Sequence, residues 1–313
     1  MGMISRLAEL FYPLEKGLFK VTFFVKFWGT RGSIPTPGNK TRRYGGNTSC
    51  VSLRSGETLL ICDAGTGIRE LGEHINRQGS DPVKGHIFFS HTHWDHIQGF
   101  PFFSPAYRSE NSFHIWASAL QGGRIHSLLS GQMHSDYFPV SFGDLKASII
   151  AETMNDSYSI IDGVKITSIK QVHPGICTAF RFEKNGRSVV YATDHELDLS
   201  ISNKKETLAD LEVMRILPED FVTFCSGASL LICDGQFTEA EYPKKIGWGH
   251  SRATTAVDLA VQANVEQLAV FHHDPMQSDR DVELKIANAQ ARAARLCPDL
   301  TVFGAREGVE LKI

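Results

Sequence analysis

Between His91 and His96 the chain reads His-Thr-His-Trp-Asp-His, which places four potential metal ligands within six residues, directly after the apolar run Ile87-Phe88-Phe89-Ser90. A strand that ends at the rim of a sheet aims alternate side chains to one side, so His91 and His93 can share a face. Asp95 and His96 follow as the chain turns away and form a second group close to the first. Histidine with carboxylate is a donor set that suits zinc, manganese and iron. The stretch predicts a two-metal site, and it requires a fold whose sheet can carry such a rim.

Alternation and apolar runs predict strands over 21–28, 50–53, 58–62, 86–90, 113–117, 164–169, 177–183, 188–192, 230–234 and 267–271. Helical spacing appears over 68–77, 119–129, 254–264 and 281–296. By itself this periodicity predicts a mixed α and β protein. A chain of 313 residues, 42% hydrophobic and 21% charged, can bury a sizeable core. Residues 1–20 read as an N-terminal extension with apolar positions Ile4, Leu7, Leu10, Phe11 and Leu14 at near-helical spacing, and 21–313 as one domain. Residues 196–220 read as a polar surface excursion with a possible short helix, and with a lid over the site as the sharper alternative.

The hexapeptide resembles the HxHxDH motif of the metallo-β-lactamase fold superfamily, in particular its phosphodiesterase branch. That branch contains RNase Z, phosphoribosyl cyclic phosphate phosphodiesterase and class II-like cyclic nucleotide phosphodiesterases. Later motifs follow in the family's order: Gln171-Val172-His173-Pro174-Gly175, Tyr191-Ala192-Thr193-Asp194, and Phe271-His272-His273-Asp274-Pro275. The resemblance implies an αβ/βα sandwich of two mixed sheets flanked by helices, with two divalent cations, zinc first and manganese or iron as alternatives. His91, His93 and His173 would hold one cation, Asp95, His96 and His272 the other, and Asp194 would bridge them. His273 is the alternative to His272. Asp63, in Cys62-Asp63-Ala64-Gly65, resembles the early aspartate that orders the metal loop from behind. The resemblance also makes His250, in Gly247-Trp248-Gly249-His250-Ser251, the general acid, with Asp234 as its orienting carboxylate.

Paired cations about 3.5–4 Å apart can clamp the attacking and leaving oxygens of an in-line displacement. Two divalent ions, two bridging or terminal aspartates and one hydroxide leave a centre of roughly +1, which attracts anions. The expected substrate is therefore a phosphodiester, and the resemblance to the cyclic nucleotide branch implies a small or cyclic nucleotide-type one. Glycine-rich loops at Gly29–Ser33 and Arg43–Ser49 suit close approach to a phosphate, which makes Arg31, Arg43, Tyr44 and Asn47 the expected substrate contacts. RNase Z carries a long tRNA-gripping arm between its third and fourth metal motifs, whereas only twenty residues separate His173 from Asp194 here. RNA processing is thus the alternative, beside hydrolysis of another ester class. A noncatalytic nucleotide-binding module and a redox di-iron protein are the rivals from other classes; the family's di-iron members carry a glutamate where His93 stands.

The net charge of -3 gives no support for a broad nucleic-acid footprint. Six scattered cysteines without a CxxC pair, and no apolar run of spanning length, predict a cytoplasmic protein without a membrane partner. The apolar positions of 1–20 also allow a homodimer contact.

Overall fold

A computed structural model describes residues 22–79, 81–117, 124–154 and 158–313, so the reading of 1–20 lies outside the described residues. The strands are β1 Phe24–Gly29, β2 Cys50–Ser55, β3 Thr58–Cys62, β4 Lys84–Phe88, β5 Ser112–Ala117, β6 Ser148–Thr153, β7 Ser159–Ile161, β8 Val164–Lys170, β9 Thr178–Lys184, β10 Arg187–Ala192, β11 Leu230–Asp234, β12 Gln267–Phe271, β13 Thr301–Gly304 and β14 Glu310–Lys312. Seven form a first sheet in the order β14-β1-β2-β3-β4-β5-β6, and seven a second in the order β13-β12-β11-β10-β9-β8-β7. Each sheet is mixed: β3 to β6 run parallel, as do β10 to β13, while the remaining pairs are antiparallel.

The sheets pack face to face. Val25, Phe27, Leu53, Leu60 and Phe88 of the first meet Phe180, Phe182, Val189, Leu230, Ile232 and Phe271 of the second in one buried cluster. Each such side chain contributes roughly 1.5–3 kcal/mol on burial. Helices cover the outer faces, which is why the parallel strands Leu59-Leu60-Ile61-Cys62 and Leu230-Leu231-Ile232-Cys233 are apolar on both sides. Helix α1, Gly67–Arg77, buries Ile68, Leu71 and Ile75 against the outer face of the first sheet. A short helix α2, Trp94–Ile97, follows β4, and α3, Ile125–Gln132, adds Ile125 and Leu129 to the same outer layer. Between β10 and β11 lie α4, Lys204–Ala209, and α5, Glu219–Cys225. Helices α6, Ala253–Gln262, and α7, Asp279–Leu296, cover the second sheet with Val257, Ala260, Val282, Ile286 and Ala289. A capping box between Ser278 and Asp281 starts α7.

The segments predicted as strands are strands, with ends shifted by a few residues. One shift matters: β4 stops at Phe88, so His91 and His93 stand on the loop beyond it rather than on the strand. Residues 196–220 match the expected excursion in their middle and depart from it at their ends. The segment contains α4 and buries Leu197, Asp198, Ile201, Arg215 and Leu217, its apolar members joining the outer core of the second sheet. Its two ends are thus anchored in the fold, while 202–214, which include α4, lie at the surface with only Thr207 buried, as a surface excursion does. No helix among the described residues is long and apolar enough to cross a membrane.

Candidate metal centre

Parallel strands deliver their C-terminal ends to one edge of the sandwich. Asp63 follows β3, Ser90 and His91 follow β4, Asp194 follows β10, Asp234 ends β11 and His272 follows β12. Such edges are where open α/β sheets gather their polar groups. Asp63, Asp194 and His272 have φ of 58°, 54° and 58°, a left-handed turn taken right after extended backbone. This turn swings each side chain out of the sheet and toward the neighbouring loop, at a cost of about 1–3 kcal/mol apiece.

Three groups of potential ligands result among the described residues: two hold the expected ligands, and the third joins Asp194 and His272 to Asp234 and His250. The imidazoles of His91, His93 and His173 offer atoms within 4.8 Å of one another, and so do Asp95, His96, Asp194 and His272. Asp194 joins the groups through separate oxygens. Its Oδ1 lies 3.2 Å from His96 Nε2 and 3.3 Å from His272 Nε2, while its Oδ2 lies 3.7 Å from His91 Nε2 and 3.8 Å from His173 Nε2. Asp95 Oδ2 is 3.1 Å from His272 Nε2 and 3.2 Å from His96 Nε2. The second group is fully buried and the His173 side chain is buried too, whereas His93 is exposed, so the site opens on the His93 side.

The alternative of His273 is removed by its orientation. Its Nε2 donates to Ala305 O at 2.9 Å, its ring meets Tyr44 edge-on, and His272 alone of the two faces Asp95 and Asp194.

The donor atoms fit cations. Nε2 of His91 and of His96 is buried without a hydrogen-bond partner among the described residues, an arrangement that an occupied coordination position would satisfy. Burial opposes a charged His96 imidazole, yet Asp194, Asp95 and Asp63 together push its pKa well above the ordinary value. The carboxylates demand positive charge there, and divalent ions bound by neutral imidazole and carboxylate would supply it.

Asp63 stands behind this set. It accepts Ser90 N at 2.8 Å, Ser90 Oγ at 2.7 Å and the Tyr191 hydroxyl at 2.8 Å, and its Oδ2 lies 2.7 Å from His96 Nδ1. The far nitrogen of His96 is thereby left to point at Asp95 and Asp194. His91 is backed by Ser90 Oγ at 3.1 Å and by the Cys177 thiol at 3.8 Å on its Nδ1.

His250 and Asp234 come together as expected, 2.7 Å apart, with the imidazole buried. Ser251 N and Gln236 N hold the other oxygen of Asp234, both at 3.1 Å. The His250 ring stacks on His272 at 4.9 Å and lies 5.4 Å from His173, beside both ligand groups. Burial works against its charged form, but Asp234, Asp194 and Asp95 outweigh it and raise the pKa to about 9. Bound cations would pull that value back down.

Of the four expected substrate contacts, Arg31 and Tyr44 are buried, while Arg43 lies at the surface and Asn47 is half-buried. Arg31 is wholly buried: its Nε donates to Gly45 O at 2.9 Å, and its Nη1 to Gln277 O at 2.8 Å and Asp274 O at 3.1 Å. Its guanidinium ties two loops together and faces no solvent. Arg43 pairs with Glu283 of α7 at the surface, Tyr44 is buried against His273, and Asn47 bonds Glu307 and Thr66. The glycine-rich loop serves the metal ligands: Ser33 N donates to Asp95 Oδ2 at 2.7 Å, and a Cβ on Gly32 would sit 2.5 Å from the His272 ring.

Sequence reading missed Glu196, two residues past Asp194. Buried, it accepts Gly247 N and Gly249 N, each at 2.7 Å, and the Tyr242 hydroxyl at 2.9 Å. Gly249 O in turn faces His173 Nδ1 at 2.9 Å. Glu196 thus holds the loop that orients a metal ligand and leads into His250.

A two-sheet αβ/βα sandwich with an aspartate shared between two histidine-rich groups defines a metallohydrolase-type dinuclear centre. Residues 58–273 match the family model described as beta-lactamase superfamily domain, and the chain belongs to that superfamily. Ribonuclease Z of Haloarcula marismortui is 23% identical over 285 residues, covering 80% of this chain and 86% of its own. Among solved structures, the metallo-beta-lactamase fold protein YhfI from Bacillus subtilis superposes with a TM-score of 0.63 at 17% identity, covering 93% of this chain and 99% of its own. A diphosphatase from the PhnP family gives a TM-score of 0.61 at 15% identity, covering 93% and 98%.

Proposed function

We propose that this protein is a dinuclear metal-dependent phosphodiesterase acting on a small or cyclic nucleotide-type phosphodiester. The observation that carries the reading is Asp194, whose two oxygens face different histidine groups. His91, His93 and His173 would hold one cation and Asp95, His96 and His272 the other, with zinc the first expectation from the donor set. When bound, the pair supplies Lewis-acid activation of water and of the phosphoryl oxygens.

The chain's own residues supply the rest. The Asp234 carboxylate fixes the His250 ring through Nδ1, which leaves Nε2 to deliver a proton to the departing oxygen. Asp63, Ser33 N and Gln236 hold the ligands in place from outside, Gln236 Nε2 lying 3.3 Å from His272 Nδ1. Access from the exposed His93 side admits substrate, while burial of the second group limits bulk water.

A second reading, RNA 3′ processing, is favoured by the likeness to ribonuclease Z. Against it, β9 and β10 join through the turn Asn185-Gly186, with φ of 51° and 73°, so a tight hairpin occupies the segment after His173 where the expected arm would stand. We also place the protein in a reducing compartment, a reading supported by six unpaired thiols, five of them buried.

The test is to purify the protein, quantify bound metal, and assay bis-p-nitrophenyl phosphate, a cyclic nucleotide panel and a tRNA precursor. Turnover of the small esters without cleavage of the precursor supports the first reading, and the reverse supports the second. Activity that survives in a His91→Ala, Asp194→Ala double variant defeats both.

A further inference from the structure

We propose that the loop from Lys245 to Gly249 reads the substrate, Trp248 stacking on the base of a nucleoside phosphodiester while Lys245 holds an anionic oxygen beside it. The proposal rests on the phosphodiesterase reading above.

This loop is braced far more firmly than a surface turn requires. Gly247 and Gly249 adopt φ of 84° and 91°, and both of their amides are held by the buried Glu196 carboxylate. The Gly249 carbonyl contacts the metal ligand His173, and the next residue is the general acid His250. A Cβ on Gly249 would fall 2.2 Å from His173 Nδ1, so the loop lies directly against the ligand. Yet the side chains it presents are apolar and outward: Trp248 is 58% exposed and Ile246 57%. A tryptophan gains most by burial, so a rigid backbone that holds one in solvent next to a reaction centre presents the ring to something else.

Lys245 makes that something anionic. Its ammonium lies 3.8 Å from the centre of the Trp248 ring and 5.7 Å from that of Phe237, whose ring is itself 6.0 Å from His250. No carboxylate pairs with it among the described residues. A cation held by two aromatic faces keeps its charge available to an incoming anion. Trp94 is the other exposed indole beside the ligands, but no ammonium or guanidinium lies over it among the described residues. A flat ring and an uncompensated cation on the loop that contacts a metal ligand and leads into the acid-base histidine match a nucleoside joined to a phosphodiester.

The experiment uses the full-length, metal-loaded protein with thymidine 5′-p-nitrophenyl phosphate and methyl p-nitrophenyl phosphate, which share a leaving group and differ in the nucleoside. In Trp248→Leu the ratio of kcat/KM between the two esters falls by about tenfold or more, and Trp248→Phe restores most of it. Lys245→Gln lowers kcat/KM for both. An unchanged ratio in a Trp248→Leu protein with a native circular dichroism spectrum overturns the proposal and leaves the phosphodiesterase reading intact. If the wild type cleaves neither ester, that reading fails, and binding decides the proposal separately. Adenosine 5′-monophosphate then quenches tryptophan fluorescence more strongly than ribose 5-phosphate, and Trp248→Leu abolishes the difference. Equal effects of the two ligands, or a difference that survives in Trp248→Leu, overturn it.

Discussion

The Tyr191 hydroxyl, carried by the second sheet, donates a 2.8 Å hydrogen bond to Asp63, which follows a strand of the first. Both groups are fully buried, and the same carboxylate oxygen orients His96. The metal centre is therefore aligned by a bond that crosses the sandwich, so ligand geometry and sheet packing are coupled. Asp63→Asn weakens this link and forces a donor toward His96 or Tyr191. The expected result is a loss of roughly 10–100-fold in metal affinity, read by chelator competition.

His250→Gln removes the proton donor and leaves all seven expected ligands in place, although the ring it replaces stacks on His272. We expect kcat to fall by roughly 10²–10⁴ for an alkyl leaving group and much less for p-nitrophenolate, which departs without protonation. Metal content stays at the wild-type level. Equal losses on both esters would assign His250 a structural role.

Gly249→Ala places a methyl group 2.2 Å from His173 Nδ1 at a φ of 91°. The loop has to retreat, and His173 loses the carbonyl that orients it. Metal occupancy measured by atomic emission falls together with activity, and thermal stability drops by an amount equivalent to about 1–3 kcal/mol. A variant with full occupancy and wild-type turnover would show that the loop is free to move.

Lys285 carries a pH signature of folding. Burial pulls its ammonium down to about 7, against the opposing carboxylates of Glu241, Asp274 and Asp234. Its Nζ donates to Gln236 O at 2.8 Å. Below about pH 7 the group is protonated in both the folded and unfolded chain, and the burial penalty is paid in full. Between about 7 and 10.5 the unfolded chain binds more protons, so this group makes stability rise with pH across that window. Urea titrations from pH 6 to 9 should show the rise, and Lys285→Met should flatten it while gaining on the order of 1–3 kcal/mol at pH 6.

The ligand set was readable because metal sites need particular atoms, and those residues follow apolar runs that mark strand ends. His91, His93, Asp95, His96, His173, Asp194 and His272 come together as expected, and so do His250 and Asp234. Arg31 was misread for a physical reason. An arginine beside glycines looks the same in sequence whether its guanidinium meets a phosphate or three backbone carbonyls, and only the fold supplies Gly45, Asp274 and Gln277. Glu196 gave no signal because its partners are backbone amides fifty residues further along the chain. Strands β6, β7, β13 and β14 also escaped notice. They are short or lie at sheet edges, where exposure on one or both faces erases the apolar alternation that betrays a central strand.

The left-handed backbone at Asp63, Asp194 and His272 sets evolution of this scaffold against its chemistry. Glycine is the residue that tolerates such a φ without penalty, so replacing any of the three by glycine relieves conformational strain while deleting a group the centre depends on. At Asp63 that relief is outweighed by the buried partners it would strand, Ser90, Tyr191 and His96, whereas at Asp194 and His272 the turn is kept for the centre. A sequence that keeps aspartate and histidine at those two positions holds its fold at a stability below what its own backbone allows, in exchange for a working site.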